Sequence, residues 1–229
     1  MSIADNLLKY KNELTPQNVK LVAVSKNHPA EAILEAYNEG QRVFGENLVQ
    51  EMVEKQAQLP QDIEWHLIGH LQTNKVKYIA QFVKLIESVD SIKLLKEIDK
   101  QAAKNNRVID CLLQVYIADE ETKFGLGFDE IIELLRSDEF SSYKNVRIVG
   151  LMGISTNTAQ EKQIEAEFRE LKVFFDGIKV SFFRKEDSFK EISMGMSGDY
   201  KLAINQGSTM VRIGSSIFGK RIIKHWKAD

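Results

Sequence analysis

The stretch Lys20-Leu21-Val22-Ala23-Val24-Ser25 is a short apolar run, and a lysine, Lys26, follows it directly. Short runs rich in β-branched side chains are typical of buried strands. This run is the first of a series that continues along the whole chain. The series comprises Lys20 to Ser25, Arg42 to Gly45, Glu64 to Gly69, Val83 to Ser88, Ile109 to Ile117, Val146 to Ile154, Phe189 to Met194 and Thr209 to Gly214.

Amphipathic stretches separate these runs, and their apolar residues recur every three to four positions, as on one face of a helix. The clearest are Ala30 to Glu39, Glu46 to Gln58, Ser91 to Ala103, Asp129 to Leu135 and Ala159 to Phe175. Strands that alternate with helices form parallel sheets, and eight such units in 229 residues predict an α/β fold of the (β/α)8 TIM-barrel type. The alternative is an open doubly wound sheet, but the Gly-x-Gly-x-x-Gly fingerprint of that fold does not follow the first run. No Pro/Gly/Ser-rich linker divides the chain, so we expect one domain over residues 1–229.

The composition excludes several classes of function. Because 31 Lys and Arg residues nearly balance 33 Asp and Glu residues, we expect no broad basic surface and no nucleic-acid partner. The N-terminal segment lacks the apolar core of a secretory signal, and no apolar stretch is long enough to span a bilayer. The single cysteine, Cys111, lies in an apolar run, which favours a buried structural thiol over a reactive one. These features predict a cytoplasmic protein without membrane contact.

In a (β/α) barrel the functional face lies at the carboxyl ends of the strands, so the residues that follow each run are the candidates for chemistry. Lys26 follows the first run and would lie at the mouth of an apolar barrel. Desolvation there favours the uncharged amine, which is the form that attacks an aldehyde. The alternative is a solvated lysine at the end of a strand.

Two glycine- and serine-rich turns follow the seventh and eighth runs. The first contains Ser197 and Gly198 ahead of a helical stretch, Tyr200 to Asn205, and the second contains Gly214 and Ser215. Small residues leave backbone N–H groups open to an anion, and barrels commonly bind phosphate at these two loops. Each turn alone could be a helix cap, but a phosphate anchor combined with an amine that can form an imine is what pyridoxal 5′-phosphate (PLP) requires.

Arg212 ends the eighth run, where its side chain can reach the barrel mouth and donate to the pyridine nitrogen of a bound ring. A guanidinium does not give up its proton, so the ring nitrogen would stay unprotonated and would be a weak electron sink. The alternative is an ion pair within the barrel.

Several longer motifs extend this pattern, and through them the chain resembles the pyridoxal phosphate homeostasis protein family, the single-barrel relatives of the alanine racemase N-terminal domain. The matching stretches are Ala23-Val24-Ser25-Lys26, Phe44-Gly45-Glu46-Asn47, Trp65-His66-Leu67-Ile68-Gly69, Leu71-Gln72-Thr73-Asn74-Lys75, Lys123-Phe124-Gly125, Gly150-Leu151-Met152, Ser193-Met194-Gly195-Met196-Ser197-Gly198-Asp199-Tyr200 and Gly207-Ser208-Thr209-Met210-Val211-Arg212-Ile213-Gly214. His70 and Ser216 depart from the pattern, since proline and alanine are more usual there.

The resemblance implies a role for each of eight residues. Lys26 would be the Schiff-base lysine, and Arg212 would face the pyridine nitrogen. Asn47 would approach the phenolic oxygen of the ring or cap the following helix, and His66 would line the pocket or be a hydrogen-bonded core histidine. The phosphate would be held by Ser197, Gly198, Gly214 and Ser215.

Three functions remain open at this stage. The first is a PLP carrier or regulator that buffers the reactive aldehyde and passes it to enzymes in intracellular PLP homeostasis, without robust catalysis. The second is a PLP-dependent amino-acid racemase or decarboxylase of the same fold. The third is an adaptor that binds PLP only for stability. The carrier is favoured, because residues 217–229 are too few for the second β domain that supplies a tyrosine base in two-domain racemases. The missing dimerising domain also favours a monomer.

Two segments carry weaker predictions. Lys123, near the barrel mouth, would accept the aldehyde transiently during transfer, unless it is a solvated loop lysine. Residues 180–190 match nothing in the family pattern, and their polar part, Arg184 to Ser188, is expected to be a solvated loop or helix end.

Overall fold

Eight parallel strands close into a barrel in which each strand pairs with the next along the chain and β8 pairs with β1. The computed structural model describes residues 2–118 and 124–220. The strands are β1 Lys20–Val24, β2 Val43–Glu46, β3 Glu64–Leu67, β4 Leu85–Val89, β5 Ile109–Val115, β6 Val146–Gly153, β7 Glu191–Met196 and β8 Met210–Ile213. The predicted barrel is confirmed, and the open sheet is excluded by the closing pair of β1 and β8.

The helices pack around the outside of the barrel. They are α1 Ile3–Leu14, α2 Ala30–Asn38, α3 Val49–Gln56, α4 Val76–Ile79, α5 Ile92–Lys104, α6 Phe128–Arg136, α7 Asp138–Ser142, α8 Glu161–Phe182, α9 Tyr200–Asn205 and α10 Ser215–Phe218. The first begins with a capping box, in which Ser2 and Asp5 each accept a hydrogen bond from the other's backbone N–H. No helix in the described ranges is long and apolar enough to cross a membrane.

The apolar residues form two layers. A small cluster fills the inside of the barrel, with Val22, Leu112 and Met152 among its members, and a larger cluster packs between the strands and the helices. Cys111 belongs to the larger layer and is fully buried, as predicted, and burial raises the pKa of its thiol. This thiol is therefore a packing group rather than a nucleophile.

The segment before β7 differs from the sequence prediction. Helix α8 was expected to end at Phe175 but continues to Phe182, and β7 begins at Glu191 rather than Phe189. The reason is a stack of three rings, in which Phe189 lies 4.8 Å from Phe175 and 4.2 Å from Phe183 between ring centroids. Phe189 thus packs under the helix and does not join the sheet. The polar residues 184–187 are exposed between these rings, as expected of a solvated loop.

Gly150 lies in β6, where its backbone has a φ of 158° and approaches β7 closely. A methyl group added at this position would overlap with the carbonyl oxygen of Glu191. We therefore expect Gly150→Ala to lower the free energy of unfolding by about 3 kcal/mol or more, as measured by urea denaturation.

Gly177 provides the control, because a methyl group there would meet no atom within 4 Å and the residue is exposed within α8. Alanine is the better helix former, so Gly177→Ala should raise the free energy of unfolding by roughly 0.5–1 kcal/mol. Equal effects of the two substitutions would contradict the packing described for β6 and β7.

Candidate functional site

The carboxyl ends of the strands surround a cavity of about 260 Å³, which we call the Lys26 cavity. It is lined by Val24, Lys26, Asn47, Ile68, Ile154, Met196, Ser197, Gly198, Arg212, Gly214 and Ser215. Every predicted site residue except His66 belongs to this set. The lysine after β1 and the two turns after β7 and β8 therefore meet at one place, although about 170 residues separate the lysine from the nearer turn in the sequence.

The turn after β7 is held by Asp199. Its carboxylate accepts a hydrogen bond from the backbone N–H of Met196 at 2.5 Å and another from the hydroxyl of Ser155 at 2.8 Å. Ser155 follows β6, so the turn is fixed to a neighbouring loop as well as to its own strand. Sequence reasoning assigned no role to either Asp199 or Ser155.

The two turns differ in the free space around their glycines. A methyl group at Gly198 would meet no atom within 4 Å, whereas one at Gly214 would lie 3.0 Å from the backbone oxygen of Val24. The turn after β8 therefore packs tightly on β1, while the turn after β7 opens into the cavity. Ser215 begins α10, and the N–H groups of a first helical turn have no acceptor within their own helix.

Arg212 is buried, and its guanidinium is held on the wall of the cavity. Nη1 donates to the backbone oxygen of Ser193 at 2.8 Å and to its hydroxyl at 2.6 Å, and Nη2 donates to the backbone oxygen of Gly153 at 2.9 Å. Burial lowers the pKa of Arg212, and the negative charges of Glu87 and Asp199 oppose this effect. Because the ordinary pKa of arginine is so high, the group stays charged.

Glu87 lies behind Arg212 as the buried counter-charge, with Oε2 at 3.9 Å from Nη1. The hydroxyl of Ser193 donates to Oε2 at 2.6 Å, and Nδ1 of His66 lies 2.7 Å from Oε1. Burial alone would raise the pKa of Glu87, but the hydrogen bond and charge of His66 and the charge of Arg212 outweigh it and lower that pKa. Since an ionised carboxylate only accepts hydrogen bonds, Nδ1 of His66 is the donor.

The placement of His66 corrects one expectation. Its ring does not line the Lys26 cavity but lies in the barrel interior, 2% exposed, as the hydrogen-bonded core histidine that was the alternative. The physical reason is the two-residue repeat of a strand, which puts His66 on the same face as Ile68 but one layer deeper. Ile68 is the residue that reaches the cavity.

A second buried polar group, which we call the Lys55 cluster, consists of Ser25, Glu46, Glu51 and Lys55. The ammonium of Lys55 donates to the backbone oxygen of Ser25 at 2.8 Å and to Oε1 of both Glu46 and Glu51 at 2.7 Å. The hydroxyl of Ser25 donates to Glu46 at 2.6 Å. Helix α3 supplies Glu51 and Lys55 and thereby joins the ends of β1 and β2.

Glu46 is the titratable member of this cluster near neutral pH. Its side chain is completely buried, and burial raises its pKa to about 7, although Lys55 opposes the shift while Glu51 adds to it. Two carboxylates share one ammonium here, so full ionisation would leave a buried net negative charge. A proton on Glu46 relieves that excess.

A wider cavity of about 510 Å³ adjoins the first and shares Asn47, Ile68 and Ile154 with it. His70, one of the two departures from the family pattern, stacks on Phe124 at 4.0 Å between ring centroids and lies 2.8 Å from a carboxylate oxygen of Asp90. The unusual residue thus links two loops at the rim. Lys123, for which transient aldehyde binding was predicted, lies outside the described residues.

Comparison with known proteins identifies the family. The family model described as "Alanine racemase, N-terminal domain" matches residues 1–221. A pyridoxal phosphate homeostasis protein of Aquifex aeolicus is 42% identical over 88% of this chain and 87% of its own length. The Escherichia coli K12 protein of the same name is 35% identical over 96% and 97%. The chain belongs to the pyridoxal phosphate homeostasis protein family.

Solved structures agree with this family assignment. PipY of Synechococcus elongatus, solved with PLP bound, is 38% identical to the chain, with a TM-score of 0.86 over 95% of this chain and all of PipY. Alanine racemase of Bartonella henselae has a TM-score of 0.70 but is only 17% identical, and the match covers 60% of its length. The racemase therefore shares the barrel fold alone, whereas PipY is similar to the chain in sequence as well.

Glu46 generates a prediction about pH. Its pKa is raised in the folded protein, so the folded state binds more protons than the unfolded state between pH 4.5 and about 7. The free energy of unfolding contributed by this group is therefore greatest below pH 4.5 and falls by up to about 3 kcal/mol as the pH rises through 7. We expect Glu46→Gln, which keeps the shape and loses the titration, to flatten the dependence measured by urea denaturation from pH 5 to 8.

The matched control is Glu54→Gln on α3, because the side chain of Glu54 is exposed on the next element along the chain. The control should follow the wild-type pH dependence. If Glu46→Gln also followed it, the carboxyl of Glu46 would not be the group that takes up the proton.

Proposed function

We propose that this chain binds PLP covalently through Lys26 and takes part in intracellular PLP homeostasis as a carrier or regulator rather than as a robust enzyme. The observation that carries the proposal is the meeting of Lys26 with the turns after β7 and β8 around one cavity. A lysine amine at one side and small residues with free hydroxyls at the other match the two ends of a phosphorylated aldehyde.

The residues of the Lys26 cavity fit PLP in both chemistry and space. The open space at Gly198 and the hydroxyls of Ser197 and Ser215 suit a phosphate, while the apolar side chains of Ile68 and Ile154 suit the faces of a ring. The volume of about 260 Å³ is close to the lower end of ligand pockets, about 300 Å³, as expected for a small cofactor. PipY, which has PLP bound, supports this assignment through its similarity to the chain over nearly its whole length.

When bound, PLP supplies an aldehyde for a lysine and a ring that can draw electrons from a substrate. In this chain Arg212 would direct an N–H group at the pyridine nitrogen and would not transfer the proton. Glu87 does not line the cavity, and its two carboxylate oxygens are hydrogen-bonded to His66 and Ser193. The site would therefore hold the ring without the carboxylate partner that would make it a strong electron sink.

The number of possible bases among the residues that line the cavity favours the carrier over a racemase. Among the described residues that line the cavity, Lys26 and Arg212 are the two ionisable side chains, and a guanidinium does not give up its proton. Two-base racemisation needs a second group that exchanges a proton, on the other face of the substrate. We therefore infer that the domain receives, protects and releases PLP to enzymes that require it.

The covalent assignment is tested by spectroscopy and mass mapping. The purified protein should gain an imine absorbance band when PLP is added, and borohydride should fix the cofactor on the peptide that contains Lys26. Lys26→Ala should lose the band, whereas the exposed control Lys93→Ala on α5 should keep it. A colourless wild-type protein at saturating PLP, or an unchanged band in Lys26→Ala, would refute the proposal.

The carrier assignment is tested by comparing transfer with turnover. The PLP-loaded protein should restore activity to an apo-enzyme that needs PLP, while its own exchange of the Cα hydrogen of alanine for solvent deuterium stays within about tenfold of free PLP. Turnover of about 1 s⁻¹ or faster, which is typical of enzymes, would support the racemase instead.

A further inference from the structure

The Lys55 cluster holds the backbone on both sides of Lys26. On one side, Ser25 is bound through its hydroxyl to Glu46 and through its carbonyl oxygen to Lys55. On the other side, the backbone N–H of Asn27 donates to Oε1 of Glu51 at 2.6 Å. Lys26 is therefore the middle residue of a segment whose two neighbours are both fixed by buried charges.

The turn at Lys26 needs such support because of its conformation. Asn27 has a φ of 62°, in the left-handed region that side chains other than glycine adopt at some cost. The N–H of His28 donates to the carbonyl oxygen of Ser25 at 3.1 Å, so the chain reverses within four residues. The bond from Asn27 to Glu51 holds this turn against relaxation to an extended backbone.

The energetics indicate that this cluster has a purpose beyond packing. Glu46, Glu51 and Lys55 are at most 3% exposed, and all three donors of the ammonium are used. Burying an ammonium with two carboxyl groups is expensive, and apolar side chains of similar size often stabilise a fold equally well or better. Apolar side chains could not form hydrogen bonds with the carbonyl oxygen of Ser25 and the N–H of Asn27.

We propose that Glu46, Glu51 and Lys55 are positioning residues that hold the amine of Lys26 in the orientation from which it attacks the aldehyde of PLP. The inference rests on the proposed function of Lys26. In that step the nitrogen of Lys26 attacks the aldehyde carbon, a C=N bond replaces the C=O bond, and the oxygen leaves as water with both amine protons. The cluster does not touch the cofactor and acts only through the backbone of the turn.

The orientation of the Lys26 amine and the affinity for the rest of the cofactor can therefore be measured separately. Phosphate and ring binding depend on the turns after β7 and β8, whereas the cluster lies beside β1 and β2. Pyridoxamine 5′-phosphate has an amine in place of the aldehyde, so it reports on those turns without bonding to Lys26. A positioning defect should slow imine formation and leave the affinity for pyridoxamine 5′-phosphate unchanged.

The test uses Glu51→Gln, which keeps the size of the side chain and removes the charge that Lys55 and Asn27 share. We expect the rate of imine formation with PLP, followed by stopped-flow absorbance, to fall about 10- to 100-fold. The dissociation constant for pyridoxamine 5′-phosphate should stay within about twofold of wild type. Glu54→Gln, the same change at an exposed position of α3, should alter neither quantity.

A second readout needs no cofactor. Pulse acylation of the unloaded protein, followed by mass mapping, measures the reactivity of Lys26 against that of exposed lysines such as Lys93. In Glu51→Gln the relative reactivity of Lys26 should change by at least about threefold. If wild-type protein formed no imine with PLP, the proposed function would fail, but this readout would still test whether the cluster controls Lys26.

Ser25→Ala serves as a milder variant if Glu51→Gln does not fold, because it removes only the bond to Glu46. It should slow imine formation at least about threefold. The proposal is overturned if the folded variants form the imine at the wild-type rate with unchanged Lys26 reactivity. It is also overturned if their affinity for pyridoxamine 5′-phosphate falls by the same factor as their rate of imine formation. Equal losses would mean that the substitutions disturb the whole cavity and not the orientation of Lys26.

Discussion

Closure of the barrel by β1 and β8 is the constraint on which the rest of the structure depends. Lys20 pairs with Met210 and Ala23 with Ile213, so the two strands end at the same level. Lys26 and Gly214, which follow those ends, are thereby brought to one cavity from opposite ends of the chain. The tight approach of Gly214 to the backbone of Val24 shows how little freedom this junction has. An open sheet of the same strands would separate the amine from the turn after β8.

Two buried carboxyl groups beneath the cavity have pKa values shifted in opposite directions. Glu87 faces the guanidinium of Arg212 and the imidazole of His66, so its partners outweigh desolvation and lower its pKa. Glu46 shares a single ammonium with a second carboxylate, so desolvation wins and its pKa rises to about 7. The difference lies in the local balance of charge and not in depth, since both side chains are fully buried. One group is a permanent counter-ion, and the other is a proton acceptor near neutral pH.

The sequence predicted the barrel, and seven of the eight chosen site residues lie around one cavity, because periodicity and position at strand ends depend on local spacing. It could not place His66, since motif membership does not say at which layer of the barrel a side chain lies. The buried cluster of Glu46, Glu51 and Lys55 was missed for a related reason. Glu51 and Lys55 read as ordinary charged positions on a helix, and only the packing of α3 against the ends of β1 and β2 shows that they are buried. Glu87 could have been found from the sequence, because its carboxylate interrupts the apolar residues of the predicted strand Val83 to Ser88.

The two polar clusters have complementary consequences for a carrier. Arg212 is held by hydrogen bonds to Ser193 and Gly153, so its guanidinium has a fixed position on the cavity wall that would face the ring. Its positive charge is present without a bound ligand. Lys26, in contrast, precedes Asn27, a residue in the left-handed region whose backbone N–H is held by Glu51. On the proposed function, a weaker restraint on this turn would change the covalent end of the site and would leave the wall at Arg212 unchanged. A protein that must both hold and give up a reactive aldehyde would gain from this asymmetry, because noncovalent recognition would persist while a bond to the lysine formed or broke.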